Sequence, residues 1–585
     1  MIACLVHFEA EGLHGSHLAD LCSGAATLLG RLQQHGVQAG LLLQCAAVGD
    51  AGLSLAALQA AADGSGSPLL MTQPGQLAVA LRLALDQLAP TPPAEVAFIS
   101  LSGSPAAASQ AAELGCGTCE HLPSRGASPA QLQAWVMQAV ARRAREARQA
   151  AGLQPPLVVG YVMKESRQLA LAQQGMLPLL PAAEAGAAAG STAAAESAAG
   201  KAAAQAGKPA AESEQPLCFV PLDLHSSLAP QLAHCDIVLQ KLTDYLEPTG
   251  GSGAVAHFTS EAQALLARLD QEQQAAQQAA VQQQLAAAAA GHPHPGHPQL
   301  HPAEFRAAQA VAKGRPPLPV DPAPAMRPIM DRAALIPLLE AAALAVRQLA
   351  IPARAPASVL VSSFDPGSTP RQLAAAGVSL PCIAKPQAAC GVAEAHQMAF
   401  VLHGSGFAGL EVPLPAVVQE YVDHGGRVWK VYVAGDQVFW AERKSTPDLR
   451  SLAEQLAADP EADVPDSISF DSLKSLPTTL PWLRKQQAQP QAAGGSADGG
   501  LPPVPGQVAS LMQRPTFEAV AAALRKRLGL TLFGFDLVFD SIAGELVIID
   551  VNYFPSFKGV PEAPAALRAA LRQRYAAALA TQQQP

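Results

Sequence analysis

Aromatic residues make up only 4% of the chain and charged residues only 15%. Asparagine is almost missing: Asn552 stands alone. Lysine is scarce beside arginine, 12 against 26. No apolar run reaches the roughly 18–20 residues of a membrane span. Nine scattered cysteines in 585 residues do not make a disulfide scaffold and suit a reducing compartment. The net charge of −9 argues against a protein that coats nucleic acid, so any polyanion site must be a local basic cluster. The start, MIACLVHFEAEG, lacks a basic n-region, which argues against a signal or transit peptide. A soluble monomer in the cytoplasm is expected, with the nucleus as the alternative, and with neither nucleic acid nor membrane as partner.

What the chain has in excess is Ala, Gln, Gly and Pro, and much of it lies in three stretches. Residues 182–214 are Ala, Gly, Ser and Glu; 268–318 hold a Gln/Ala run and the tract GHPHPGHPQLHP; 485–507 are Gln, Gly and Pro. Each lacks the branched and aromatic side chains that offset ordering entropy. Length alone would suggest about four domains at roughly 150 residues each, but these stretches reduce the folded mass. Four segments follow. Residues 1–150 form an N-terminal α/β domain, Rossmann-like in its alternation of short strands (Ile2–Val6, Gly40–Leu43, Val96–Leu101) with Ala/Leu helices. Residues 155–245 form a lobe interrupted by 182–214, residues 246–318 a linker or insertion, and residues 319–580 an α+β domain interrupted by 485–507. The last carries the strongest strand patterns: LPCIAKP (380–386), AVVQEYV (416–422), RVWKVYVAGDQVFWAER (427–443), LFGFDLVFD (532–540) and ELVIIDVNYF (545–554). Gly435-Asp436 and Ala543-Gly544 read as hairpin turns between them.

The C-terminal hairpin is the strongest chemical candidate. Asp550 and Asn552 are i, i+2 on one strand and share a face; Asp536 lies on the preceding strand across the turn. Two carboxylates and an amide oxygen suit a hard cation such as Mg²⁺. The bland alternative is a capped strand end with a solvated edge carboxylate. The single asparagine weighs against it, because a bias that removed this residue elsewhere left one inside an acidic motif. Lysines retained in an arginine-rich chain point to compact charges. Lys241, Lys385 and Lys430 each end or flank a strong strand, and Lys385 and Lys430 could reach nucleotide phosphates from neighbouring strands. Each taken alone also fits a snorkelling surface lysine. Gln419, in Q-E-Y-V, could read an adenine beside a backbone edge. No P-loop G-x-x-x-x-G-K-[ST] is present. Cys116 and Cys119 form a lone Cys-x-x-Cys, better read as a structural or incidental pair. His292, His294, His297 and His301 lie in low-complexity sequence, and neither a G-x-S-x-G elbow nor a zinc ligand set is found.

In order, these pieces resemble the inositol-tetrakisphosphate 1-kinase (inositol trisphosphate 5/6-kinase) family, which has an ATP-grasp fold. The resemblance rests on VVGYVM (158–163), DIVLQKLTD (236–244), MDR (330–332) and PCIAKPQAACGVAEAHQMAFVL (381–402). It continues in VVQEYVDHGGRVWKVYVAGD (417–436), RKSTPDL (443–449) and LFGFDLVFD…LVIIDVNYFPSFKGVPE (532–562). It implies ATP bordered by Arg332, Lys385, Gln419, Tyr421, Ser445, Ser472 and Ser475. It implies Mg²⁺, as two ions, on Asp536, Asp550 and Asn552. It implies an inositol polyphosphate against Arg167, Lys241, His396, Lys430, Asn552 and Ser556, with Lys385, Lys430 and Asp550 at the chemistry. Fixed cations of this kind make charge-assisted hydrogen bonds to phosphate, and phosphoryl transfer rests chiefly on positioning and charge neutralisation.

Four positions depart from the family pattern. Arg167 stands where lysine is usual, Gln240 where histidine is usual, Cys390 where His or Asp precedes the glycine, and Ser556 where glycine ends N-x-F-P-G. They bear on substrate preference more than on ATP. VAFISLSGSPAAASQAAELGC (96–116) faintly resembles the fourth motif of haloacid-dehalogenase-type hydrolases, but the first strand runs into HFEAEG without that chemistry's aspartate pair. Residues 1–150 are therefore read as non-catalytic. The expected activity is ATP- and Mg²⁺-dependent phosphorylation of soluble inositol polyphosphates; the alternatives are an ATP-grasp carboxylate–amine ligase and a non-catalytic inositol-phosphate sensor.

Overall fold

In a computed structural model, the described residues are 129–179, 215–248, 255–289, 315–459, 463–480 and 506–583, with separate strand and helix segments before residue 129. The stretch 182–214, the His-Pro tract and almost all of 485–507 lie outside them. The chain divides into two compact units, Met1–Val238 with Gln271–Leu318, and Leu239–Asp270 with Pro319–Pro585.

In the first unit, strands β1 (Ala3–Glu9), β2 (Gln38–Gln44), β3 (Leu69–Thr72), β4 (Val96–Leu101) and β5 (Thr118–His121) form one sheet. Its order is β3-β2-β1-β4-β5 and every pairing is parallel. Parallel strands need crossovers, and the Ala/Leu-rich segments between them supply the length. The helix Pro129–Ala150 follows, and then the parallel pair β6 (Leu157–Val162) and β7 (Leu217–Pro221), buried along their whole length. Within this unit Asp236 is held twice, by Arg145 at 2.9 Å and by the Val158 amide at 2.7 Å. Cys116 is buried, and the side chain of Cys119 lies outside the described residues.

Strand β8 (Ile237–Gln240) runs across the boundary between the units. Residues 246–289 carry more structure than a linker: a short hairpin of β9 (Leu246–Glu247) and β10 (His257–Phe258), then the helix Ser260–Ala289, which takes in the Gln/Ala run. Alanine and glutamine are good helix formers, so low complexity here coexists with regular structure.

Beyond β11 (Leu318–Val320), the second unit is built on two five-stranded sheets. The large sheet contains β12 (Ala353–Arg354), β17 (Arg427–Ala434), β18 (Gln437–Lys444), β20 (Leu532–Asp540) and β21 (Glu545–Tyr553), in the order β12-β21-β20-β17-β18. The small sheet contains β13 (Ser358–Val361), β14 (Cys382–Pro386), β15 (Gln397–Val401), β16 (Ala416–Glu420) and β19 (Ser467–Asp471), in the order β13-β16-β14-β15-β19. Gly435-Asp436 makes the two-residue turn between β17 and β18, with Gly435 at φ +59°, a conformation in which a Cβ is costly. The β20–β21 connection is longer than a two-residue turn. Pairing stops at Asp540 and Glu545, and the Asp540 carboxylate accepts the Ile542 and Ala543 amides at 3.0 Å each.

Aromatic side chains are few, and they are spent on the core. Phe517, Phe533, Phe535 and Phe554 are completely buried, each contributing about 1.5–3 kcal/mol of burial. Phe517, on the helix Arg514–Leu528, lies 4.8 Å from the Trp440 ring on β18 and so fixes that helix against the large sheet.

Candidate active site

The large sheet's register places three charges in one row. Lys430 on β17 is the cross-strand partner of Asp536 on β20, and Asp536 is the partner of Asp550 on β21. Directly opposed residues project to the same side of a sheet. Lys430 Nζ donates to Asp536 Oδ2 at 2.6 Å. A bulge after Asp536 pairs Leu537 with Ile548 and leaves Ile549 unmatched, the local irregularity that often re-aims side chains beside a site. Burial, only partly offset by Lys430, pushes the Asp536 carboxyl up, and Asp550 pushes in the same direction. Burial opposes the charge on Lys430, but Asp536 and Asp550 hold its ammonium above the usual lysine value.

Asn552, two residues beyond Asp550, is exposed, and its Nδ2 donates to Asp550 Oδ2 at 3.1 Å. Opposite it stands Gly534, where a Cβ would come within 3.0 Å of the Val431 carbonyl and 3.3 Å of Pro555. The glycine thus lets the loop after Asn552 fold back over the sheet. That loop carries its own strain. Phe554 and Phe557 are buried with φ of +39° and +50°, a conformation that L residues avoid and that clusters at functional sites. Ser556 lies between them, exposed, and is absent from the left-handed residues. The left-handed backbone sits on the flanking phenylalanines, so a side chain at 556 needs no special conformation.

The small sheet faces the same charges. Lys385 Nζ donates to Gln419 Oε1 at 2.6 Å, and Gln419 Nε2 donates to Ser358 Oγ at 3.2 Å. Burial pulls Lys385 down to about 8, while Asp550 and Asp536 raise it and Arg332 lowers it. Arg332 begins the helix Arg332–Arg347 and donates to the carbonyls of Pro386 and Ala388 at 2.6 Å and of Ala395 at 3.2 Å. Burial draws its guanidinium down, against the pull of Asp550. His396 ends a short 3-10 turn, with Nδ1 3.1 Å from Ser472 Oγ. Burial and then Arg332 lower its pKa, while Asp471 and Asp550 raise it. The Asp550 charge is therefore felt by Arg332, Lys385, His396, Lys430 and Asp536, which come from both sheets, from a 3-10 turn and from the start of the helix Arg332–Arg347. These residues converge.

Other expected site residues are engaged differently. The Tyr421 hydroxyl donates to the Pro447 carbonyl at 2.5 Å and lies 2.8 Å from Thr446 Oγ1, and its ring packs edge-on against Phe400. Ser475 belongs to the turn after β19, bonded through its amide to the Asp471 carbonyl at 2.9 Å. Lys241 is buried, donates to the Tyr553 carbonyl and lies 5.1 Å over the Tyr553 ring. Arg167 belongs to the first unit, on the helix Glu165–Gln173. Gln240 is completely buried and bonded to the Asp321 carbonyl and to Met326. The histidine-to-glutamine departure therefore falls in the core of the unit. Cys390 is partly exposed; burial raises its thiol, and Lys241 and Arg332 lower it. Gly391, at φ +86°, passes so close to Leu246 that a Cβ would lie 2.3 Å from it.

His424 and the carboxylates around it were not anticipated. His424 is buried; its Nδ1 lies 2.7 Å from the Val422 carbonyl, which can only accept. Nδ1 therefore carries the proton, and Nε2 accepts the Ser445 hydroxyl at 3.0 Å. Asp448 Oδ1 accepts the amides of His424 and Gly425 at 2.7 and 2.9 Å, while Asp423 Oδ1 accepts the Leu449 amide at 2.9 Å. Two segments are thus clamped reciprocally, each by a carboxylate of the other. A buried-capable histidine ahead of two glycines, inside the already noted Q-E-Y-V-x-H-G-G, was the available signal.

Two sheets face one another across a lysine of one and a carboxylate pair of the other, without a phosphate-binding P-loop. That arrangement defines an ATP-grasp domain. Residues 352–463 and 500–571 match the family model described as the inositol 1,3,4-trisphosphate 5/6-kinase ATP-grasp domain. Inositol-tetrakisphosphate 1-kinase 6 of Oryza sativa subsp. indica is 30% identical over 424 residues, 72% of this chain and 60% of the relative. Inositol-tetrakisphosphate 1-kinase 1 of Zea mays is 34% identical over 187 residues, 32% of this chain and 48% of the relative. Among solved structures, the VanG D-Ala:D-Ser ligase of Enterococcus faecalis is similar at 14% identity and a TM-score of 0.25, over 45% of this chain and 68% of that one. The chain spans 60% of the length of the rice relative and about half of the maize one. This ATP-grasp domain belongs to the inositol 1,3,4-trisphosphate 5/6-kinase family. No helix among the described residues is long and apolar enough to cross a membrane.

Proposed function

We propose that the protein is an ATP-dependent kinase of inositol polyphosphates. The observation that carries this reading is the convergence on Asp550 of cations from both sheets in a domain of this family. A carboxylate–amine ligase of the same fold class needs a site for a neutral or zwitterionic acceptor. Here Lys430, His396 and Arg332 surround the carboxylates, a setting that suits an acceptor carrying several phosphates.

In this reading Lys385 and Arg332 take the ATP phosphates, and Gln419 holds the Lys385 ammonium in line with them. Ser445, Ser472 and the backbone around Tyr421 border the nucleotide, with Ser475 supporting the turn beside Ser472. Lys430, His396, Asn552 and the loop through Ser556 receive the inositol phosphate, with Lys241 as a further cation for it. Asp536, Asp550 and Asn552 fit Mg²⁺. The donors are hard oxygens, and like charge between the two carboxylates already pushes the Asp536 carboxyl up, a repulsion that a cation relieves. When bound, the metal neutralises phosphate charge. Lys430 counters the upward push on the Asp536 carboxyl and holds it in place for that role. We place the protein in the cytoplasm, acting as a monomer, with residues 1–150 as a non-catalytic α/β domain.

The test follows the fate of the γ-phosphate. With Mg²⁺-ATP and an inositol polyphosphate, ADP should accumulate without free phosphate. Release of free phosphate dependent on a carboxylate and an amine would favour the ligase. Tight inositol phosphate binding without ADP would favour the sensor.

A further inference from the structure

Arg354 ends β12 at the edge of the large sheet, in register with Val547 of β21. Four residues later the chain enters β13 of the small sheet. Glu420, the last residue of β16, holds this crossing. Its amide donates to the Ala357 carbonyl at 2.9 Å, and its Oε2 accepts the Ala357 amide at 3.0 Å. Arg354 grips the same carboxylate with a two-pronged fork, Nη1 to Oε2 at 2.8 Å and Nη2 to Oε1 at 2.6 Å. Nη2 also donates to Asp540 Oδ2 at 2.8 Å, and Nε lies 3.5 Å from Glu545 Oε2. Asp540 and Glu545 close the hairpin that carries Asp536 and Asp550.

From this juxtaposition we infer that Arg354 is a positioning residue. It pins the small sheet, with Lys385 and Gln419, to the hairpin of Asp536 and Asp550, and so fixes the gap across which phosphate passes. The inference rests on the kinase reading for its effect on turnover. An exposed ion pair would do little, but these side chains are only 13–24% exposed. Without the guanidinium, Glu420 of one sheet and Asp540 of the other would lose the cation that bridges them, while Glu545 would keep Arg347 at 2.8 Å. Lysine keeps the charge and loses the planar fork that reaches both sheets.

The experiment compares the full chain with Arg354→Met and Arg354→Lys. Three quantities are measured: amide exchange at Ala357 and Glu420, ATP affinity without metal, and the Mg²⁺ dependence of turnover. In Arg354→Met, exchange at Ala357 and Glu420 should quicken by about tenfold or more while Val431 and Val433 stay protected. Metal-free ATP affinity should stay within about threefold of wild type, because Lys385 and Gln419 share one sheet, while kcat falls and the Mg²⁺ requirement rises by about tenfold or more. Arg354→Lys should fall between, and it serves alone if the methionine variant does not fold. Wild-type exchange, kcat and Mg²⁺ requirement in a folded variant would overturn the inference. So would metal-free ATP affinity falling in step with kcat. If the wild-type chain transfers no phosphate, the kinase reading fails separately, and exchange with ATP affinity still decides whether Arg354 pins the sheets.

Discussion

Lys430 Nζ sits 2.6 Å from Asp536 Oδ2, and Asp536 is the cross-strand partner of Asp550. The lysine offered to a phosphate is thus also the counter-charge of a carboxylate offered to a metal. Removing either side changes the other, so the row behaves as one unit.

Asp550→Ala should abolish turnover, with a loss of about a thousandfold or more, and should leave the fold intact. Asp550 is partly exposed and bonds the neighbouring Val551 amide and Asn552. Turnover read beside a thermal melt separates the two effects. Full activity in a folded variant would remove Asp550 from the chemistry.

Lys385 gives nucleotide binding a pH dependence. Its pKa is pulled down to about 8 by burial, with Asp550 opposing and Arg332 reinforcing the shift. Below pH 8 the ammonium is charged and attracts phosphate; above it the free protein loses that charge. ATP affinity should therefore weaken as pH rises through 8, with a proton taken up on binding above it. The sign for stability is the reverse: a depressed lysine disfavours the charged fold, so this residue costs stability below its folded pKa and less above it. Calorimetry in buffers of different ionisation enthalpy reads the proton. Lys385→Arg should move the inflection out of this range.

The clamp around His424 predicts a stability difference. Asp448 accepts two amides, and hydrogen bonds to a charged group contribute about 1.5–3 kcal/mol. Asp448→Ala should lower stability by about 1–3 kcal/mol and raise the KM for ATP by loosening Ser445. Asp448→Asn, which keeps an acceptor, should do much less. Equal effects would show that the carboxylate does not act through those amides.

Gly391→Ala should destabilise by about 1–3 kcal/mol or more. The left-handed backbone and the Leu246 contact at 2.3 Å both resist a Cβ. Denaturant titration measures the loss directly; a neutral result would show that the loop can shift away from β9.

Much of this site was legible because its residues sit inside long strands whose period fixes the face. Asp550 and Asn552 needed only two-residue spacing, and the scarcity of asparagine marked the second. Lys385 stood out against the arginine bias. Arg354 did not, since its partners Glu420 and Asp540 lie 66 and 186 residues away and no local pattern links them. Gln240 and Tyr421 show what motif position leaves open. The departure at Gln240 was expected to bear on substrate preference and the side chain is bonded within the core, while the Tyr421 hydroxyl is committed to Thr446 and Pro447. Only tertiary burial distinguishes a residue near a site from one supporting it. Within 246–318, expected as linker or insertion, the Gln/Ala run forms part of the helix Ser260–Ala289, because composition marks low complexity without excluding helix.

The central claim is that the convergent cations serve phosphoryl transfer to an inositol polyphosphate. Incubating the full chain with γ-labelled ATP, Mg²⁺ and a panel of inositol tris- and tetrakisphosphates, with isomer-resolved products, measures this directly. Label should appear as one new phosphate ester on at least one inositol phosphate, and Lys430→Met should lose it. Label that stays in ATP or free phosphate with every acceptor, in a folded protein that binds ATP, would contradict the account.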